Sequence, residues 1–293
     1  MGLKEILFLA IFTVAESLET TTINYKTENQ INFANVTQCD CGWRNVQNSL
    51  QIVGGDETGV NEYPGMAALI YLSSGLLFCG AHIISDRYLL TAAHCIYNKS
   101  PSDFVALVGD HDISTGGDTA YSAIYYINAY EIYPTYDSST DANDIAILRT
   151  STQITFSTYV APICLPFKYA TYDFSSQPVT ILGWGQIEFS GPTSNVLLKA
   201  EVQVLTNANC QSSYAQVVLS QEICTFANGI DSCQADSGGP VMWTNISIAR
   251  LYLIGIISHG VGCATGYPGI NVRVTSFLNW ILSRTSDASY CYM

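Results

Sequence analysis

Asp231 to Pro240 reads D-S-C-Q-A-D-S-G-G-P, and the serine within it decides how the rest of the chain is understood. Ser237 is followed by Gly238 and Gly239. Glycine tolerates backbone dihedrals that side chains forbid, so a serine placed there sits on a sharp turn where a substrate can approach closely. Its hydroxyl is a weak nucleophile at its free pKa and needs a base, and that base needs a group to orient it. Working outward, the chain supplies both: His94 lies in T-A-A-H-C and Asp144 in N-D-I-A-I-L. Each residue alone is more often structural than catalytic. Their joint appearance in these contexts, in the order His, Asp, Ser, reverses that expectation.

These segments, together with I-V-G-G at Ile52–Gly55 and the final W-I-L run, resemble the trypsin/chymotrypsin family of serine proteases over Ile52 to about Arg284. The resemblance implies an all-β fold of two antiparallel six-stranded β-barrels with a C-terminal α-helix. It puts the active site in the cleft between the barrels, with His94 and Asp144 from the first and Ser237 from the second. In that scheme His94 takes the Ser237 proton and later delivers it to the leaving amine, while Asp144 holds the ring and stabilises the imidazolium. The oxyanion hole falls to the backbone amides of Ser237 and Ala235, where relatives almost always carry Gly at the latter position. Loss of one such donor costs about 10²–10³ in turnover.

By the same resemblance, Asp231 and Ser232 belong to the substrate pocket, with Asp231 at its floor and Gly260 and Gly269 on its walls. A carboxylate in that position pairs with an Arg or Lys side chain before the scissile bond, a charge-assisted contact that is strong once water is excluded. His259 and Asn271 stand where Trp and Tyr are usual. Cleavage before Ile52 is expected to free an amino group that inserts beside Asp236 and orders the pocket. Yet Gln51, preceded by Leu50, occupies the place of the usual Arg or Lys, and the nearest upstream basic residue is Arg44. The chain is therefore not expected to activate itself.

Ten cysteines in an exported chain imply disulfides, whose connectivity spacing does not give. The family pattern implies Cys79 with Cys95, Cys210 with Cys224, Cys233 with Cys263, and Cys41 with Cys164, the last tethering the pro-segment after cleavage. Cys39 and Cys291 are left over. The scheme requires no cofactor and no metal. Gly109–Asp112 resembles the calcium loop of trypsin only loosely, and no calcium is assigned to it. His82 and His111 are expected to be structural or exposed.

The residues outside these motifs bound the rest. Lys4 followed by an apolar run from Ile6 to Val14 and small residues up to Ala15 is a secretion signal over 1–15. That run is shorter than the ~20 residues a membrane span takes. Residues 16–51 are polar without a strand or helix period and are taken as a pro-segment, leaving 52–293 as the protease domain. Short apolar runs such as Ala67–Leu72, Tyr88–Thr91, Phe104–Val108, Ile145–Leu148, Val179–Leu182 and Leu253–Ile257, separated by turn residues, point to a mostly β unit. Thr275 is placed to cap a last helix carrying Phe277, Trp280 and Ile281. Sequons at Asn35, Asn98 and Asn245 offer glycosylation sites. Eleven Lys and Arg against 24 Asp and Glu give a net charge of −13, which argues against nucleic acid and acidic membranes as partners.

The expectation is thus a secreted zymogen of a serine endopeptidase cutting after Arg or Lys. Its partners are protein or peptide substrates, an activating protease, and inhibitors of the serpin or Kunitz type. Gln51 and Ala235 keep a second reading open, a low-activity or inactive homologue that binds a partner or regulates. An esterase of the α/β-hydrolase class is set aside, because its serine lies in G-x-S-x-G and Ala235 stands where the first Gly belongs.

Overall fold

In the computed structural model the described residues are 36–37, 40–45, 56–115, 117–185, 193–227, 236–260 and 266–293. Six strands form the first barrel: β1 (Met66–Tyr71), β2 (Leu77–Ile83), β3 (Tyr88–Thr91), β4 (Phe104–Val108), β5 (Ala123–Ile132) and β6 (Ala146–Thr150). Each pairs antiparallel with its neighbours, and the order β1-β2-β3-β6-β5-β4 closes on itself. Closure leaves no open edge. The second barrel holds β7 (Pro178–Gly183), β8 (Leu198–Leu205), β9 (Glu222–Phe226), β10 (Pro240–Asn245), β11 (Arg250–His259) and β12 (Gly269–Arg273). Its order is β9-β12-β11-β10-β7-β8, and β8 returns to β9 through Gln203–Leu205. The expected pair of six-stranded barrels is what the chain builds.

Burial explains which strands were visible as apolar runs. β4 reads F-V-A-L-V and every residue of it is buried. β5 instead reads A-I-Y-Y-I-N-A-Y-E-I, with Ile124 and Tyr126 exposed while Ile127 is buried. A strand with one wetted face carries no continuous run to detect.

The final helix, α1 (Leu278–Arg284), starts later than the sequence suggested, because Val274–Phe277 forms a tighter 3₁₀ turn and Thr275 lies inside it. The helix begins with no side-chain cap. Packing holds it instead. Phe277 and Ile281 are buried, each contributing roughly 1.5–3 kcal/mol. Tyr133, just beyond β5, meets Phe277 and Trp280 edge to face at 4.8 and 5.2 Å, so the helix reaches back to the first barrel.

A strap from the region taken as pro-segment lies along the domain. Val36–Thr37 pairs in parallel with Tyr290–Cys291. Residues 40–45 then follow the surface, with Gly42 N–H donating to Pro162 O at 2.9 Å and Trp43 Nε1–H donating to Thr158 O at 2.9 Å. Gly42 has φ +66°, and a Cβ there would strike Leu251 O and come within 2.8 Å of Cys164 Sγ, so no other residue fits. Arg44 anchors the strap. Its guanidinium pairs with Glu62, which is 1% exposed, and lies 5.3 Å from the Tyr63 ring centroid. Lys199 Nζ sits 3.1 Å from both Glu62 oxygens, and Gly59 N–H donates to one of them at 2.6 Å. Burial pushes the Glu62 pKa up, but the Gly59 N–H, Lys199 and Arg44 together hold it below the usual carboxylate value.

Three expected disulfides are present: Cys41–Cys164, Cys79–Cys95 and Cys210–Cys224. The Cys41–Cys164 bond spans 123 residues of chain, and in the chain-entropy model closing a loop of about 100 residues stabilises by ~4.7 kcal/mol. Cys291 is disulfide-bonded. Cys39, Cys233 and Cys263 lie outside the described residues.

Candidate active site

His94 and Asp144 meet at the end of the first barrel. β3 ends at Thr91 and runs into a single helical turn, Ala93–Ile96, which carries His94 and is pinned by the Cys79–Cys95 disulfide. Asp144 directly precedes Ile145 and β6. The turn before it places Asp141 and Asn143 at φ +54° and +59°, and Asn143 Nδ2 anchors it by donating to Thr135 O at 3.1 Å. That tight turn aims the next side chain inward. Asp144 is 0% exposed.

Three donors converge on that buried carboxyl group. His94 Nδ1 lies 2.6 Å from Oδ2, the His94 backbone N–H donates to Oδ1 at 2.8 Å, and Ser258 Oγ donates to Oδ2 at 2.5 Å. His94 itself keeps 30% of its side chain exposed. Burial works to lower its pKa, but the hydrogen bond and the charge of Asp144 outweigh that and raise it above the usual histidine value. Ser258 at the end of β11 was not singled out by its sequence. Its only local signal is its place after the apolar run of β11, because its partner is 114 positions away.

Ser237 sits half-buried on the turn into β10, pressed against the first barrel. Gly80 N–H donates to Ser237 O at 2.8 Å, and Gly238 N–H donates to Ile257 O at 2.8 Å, tying the turn to both barrels. Gly238 has φ +78°, and a Cβ there would strike Gly80 O and Thr91 Oγ1. The glycine after the serine is thus required by close approach as well as by backbone sign. Thr91 stands three residues before His94, so the turn brings Ser237 to the same end of the cleft. His94 Nε2 lies 3.7 Å from Cys95 Sγ, and among the described residues no hydrogen bond joins it to the Ser237 hydroxyl. Such bonds commonly tighten only when substrate is bound.

Beneath that turn lies His82, buried against the backbone of Gly238 and Gly239, and burial pushes its pKa down to about 3. It is a neutral packing residue of the interface between barrels. His111 is also buried, with Nε2 2.9 Å from Glu57 Oε1. Asp236, next to the serine, is half-buried. Its Oδ1 accepts from Gly185 N–H at 2.9 Å, and added side chains at Gly183 or Gly185 would collide with its carboxyl group.

Of the residues expected to line the substrate pocket, Gly260 and Gly269 face one another: a Cβ at Gly260 would lie 3.8 Å from Gly269 Cα. Asn271 beside them is buried, its Nδ2 donating to Ile223 O and Thr225 Oγ1 at 3.1 and 3.0 Å. Asp231, Ser232, Ala235 and Ile52 lie outside the described residues, as does Asn35. Asn98 is exposed, whereas Asn245 is half-buried and donates to Tyr169 Oη at 2.6 Å. Among the described residues, His94, Asp141 and Asp144 lie close enough to converge on an ion, but both Asp144 oxygens already accept hydrogen bonds. No helix among those residues is long and apolar enough to cross a membrane.

Comparison with known proteins agrees with this geometry. A family model described as trypsin matches residues 52–281. The chain is 42% identical to "Venom serine protease 34" of Apis mellifera over 87% of this chain and 63% of that protein. It is 38% identical to a venom serine protease of Polistes dominula over 98% of this chain and 96% of that one. It is 32% identical to the proclotting enzyme of Tachypleus tridentatus over 82% of this chain and 68% of that one. The chain thus spans a little under two thirds of the Apis protein and nearly all of the Polistes protein.

Proposed function

This chain belongs to the trypsin family of serine proteases, and from that premise we propose that it is a secreted endopeptidase, made as a zymogen, that cuts after Arg or Lys. The observation that carries the catalytic reading is the buried Asp144 carboxyl group gripping His94 Nδ1 at 2.6 Å beside the turn that holds Ser237. His94 acts as general base on Ser237 Oγ and returns the proton to the leaving amine. Asp144 fixes the tautomer that leaves Nε2 free to accept, and stabilises the imidazolium as it forms. The raised His94 pKa fits this role, since the site is built to favour the charged ring. Backbone amides of Ser237 and Ala235 serve as the oxyanion donors.

Arg/Lys specificity rests on Asp231 and Ser232, with support from the unobstructed approach of Gly260 to Gly269. Activation rests on Ile52 and the Asp236 carboxyl group, and the glycines at 183 and 185 leave that group room. Residues 1–15 act as a signal and 16–51 as a pro-segment. The latter stays attached after cleavage through Cys41–Cys164 and the Arg44 contact. The names of the relatives, venom serine proteases and a proclotting enzyme, fit an exported protease acting on protein substrates.

The test uses chain that begins at Ile52, released through an engineered site in place of Gln51. Turnover of chromogenic Arg or Lys peptides that disappears in Ser237→Ala supports the reading. Folded protein with no turnover above that blank overturns it, in favour of a binding or regulatory homologue.

A further inference from the structure

The protons around Asp144 can be accounted for one by one. Its carboxyl oxygens accept from His94 Nδ1–H, His94 N–H and Ser258 Oγ–H. A hydroxyl has a single proton, so Ser258 has none left to give. Yet His259 Nδ1 lies 3.0 Å from the same Ser258 oxygen. The only hydrogen bond that can close there is His259 Nδ1–H donating to Ser258. This fixes the form of the His259 ring: Nδ1 carries a proton, whatever Nε2 does.

Nε2 of His259 is buried and has no hydrogen-bond partner. The same holds for Oε1 of Glu222, at the start of β9, whose other oxygen accepts from Leu219 N–H at 2.7 Å. Glu222 is 5% exposed, but no hydrogen bond joins its Oε1 to His259 Nε2, so the ring makes its contact through Nδ1.

We propose that His259 is a positioning residue for the reaction, holding the Ser258 hydroxyl on Asp144 from behind. The row runs His259, Ser258, Asp144, His94, and it crosses from the second barrel into the first. A Trp at position 259, the residue usual there in the family, has an indole N–H but none placed as Nδ1 is. The inference rests on the catalytic reading of His94 and Asp144 given above. His259 touches no reacting atom in this arrangement; it acts through Ser258 alone.

The test is a double-mutant cycle with two readouts. His259→Leu removes the donor, His259→Asn keeps an N–H near the Nδ1 position, and Ser258→Ala removes the intermediary. On chain starting at Ile52, His259→Leu is expected to lower kcat about five-fold with KM unchanged, the fold-change corresponding to one ordinary hydrogen bond of ~1 kcal/mol. His259→Asn should restore most of it. In the Ser258→Ala background His259→Leu should cost nothing further, because the contact it removes is already gone. The second readout is the proton NMR resonance of His94 Nδ1–H, taken on the full uncleaved chain with ¹⁵N-labelled histidine. With only four histidines in the sequence it is readily assigned. It should move in His259→Leu and Ser258→Ala and return in His259→Asn.

An equal loss from His259→Leu in both backgrounds overturns the proposal, as does a change confined to KM, or a His94 resonance that ignores His259. If the Ile52 form turns over no substrate at all, the catalytic reading has failed, and the resonance still decides whether His259 acts on Asp144 through Ser258.

Discussion

Glu62 and Asp144 are both carboxyl groups taken almost wholly out of water, and their surroundings could hardly differ more. Glu62 is met by Arg44, Lys199 and a backbone N–H, so two permanent cations answer its charge. Asp144 is met by an imidazole, a hydroxyl and a backbone N–H, none of them a permanent cation. A buried carboxylate with its charge fully matched is a fastener. One held by neutral donors lacks a counter-charge, and the group able to supply it is His94, which gains a proton only when it takes one. The same burial thus serves attachment at one site and proton transfer at the other. What decides between them is whether the partner's charge is fixed or conditional.

The most severe way to break the contrast is Asp144→Asn. The amide presents an N–H to His94 and enforces the wrong tautomer, so kcat of the Ile52 form should fall by about 10⁴ while the fold survives. A loss under ten-fold, measured with chromogenic substrate, would remove Asp144 from the mechanism. Glu62→Gln should do the reverse, leaving kcat within about two-fold. It leaves Lys199, only 10% exposed, without its carboxylate, which costs on the order of 3 kcal/mol and lowers the thermal midpoint by roughly 10 °C, while Arg44, 40% exposed, adds little. Calorimetry on both variants compares the two sites directly.

Acidity sharpens the contrast further. The His94 pKa is raised and catalysis needs the neutral ring, so kcat/KM should climb with pH through a midpoint above the ordinary histidine value of ~6.5. A midpoint below it would contradict the Asp144 contact. For Glu62 the folded pKa is depressed, so its stabilisation is fully present above the ordinary carboxylate value of ~4.3 and is lost as pH falls through the lower folded value. Wild type and Glu62→Gln should therefore converge in stability only as pH falls below the ordinary carboxylate range and through that lower folded value. The smallest effect is expected at the strap. Arg44 is engaged with Glu62 and Tyr63, so trypsin should cut after Arg44 several-fold more slowly in wild type than in Glu62→Gln. Equal rates, followed by mass spectrometry, would show that the contact does not restrain the segment.

How much of this the amino-acid sequence reveals follows the range of the interactions. His94, Asp144 and Ser237 were legible because each lies in a local motif. β3 and β4 were legible because their apolar residues are contiguous. β5, with its wetted face, and β9, whose Glu222 and Thr225 are polar yet buried, were not. The supporting residues were hidden for a different reason. Ser258 finds Asp144 across 114 positions, and Lys199 finds Glu62 across 137, and nothing in either neighbourhood announces its partner. The helix start was misplaced because packing of Phe277 against Tyr133, and not a capping hydroxyl, decides where the turn tightens.

The Cys41–Cys164 bridge has one more consequence, for anyone following maturation at the bench. It closes a covalent ring that contains the Gln51–Ile52 bond, so cutting that bond opens the ring without releasing a fragment. Precursor and product then differ by one water in mass and migrate together until reductant is added. An intact-looking band on a non-reducing gel is therefore no sign that processing has failed.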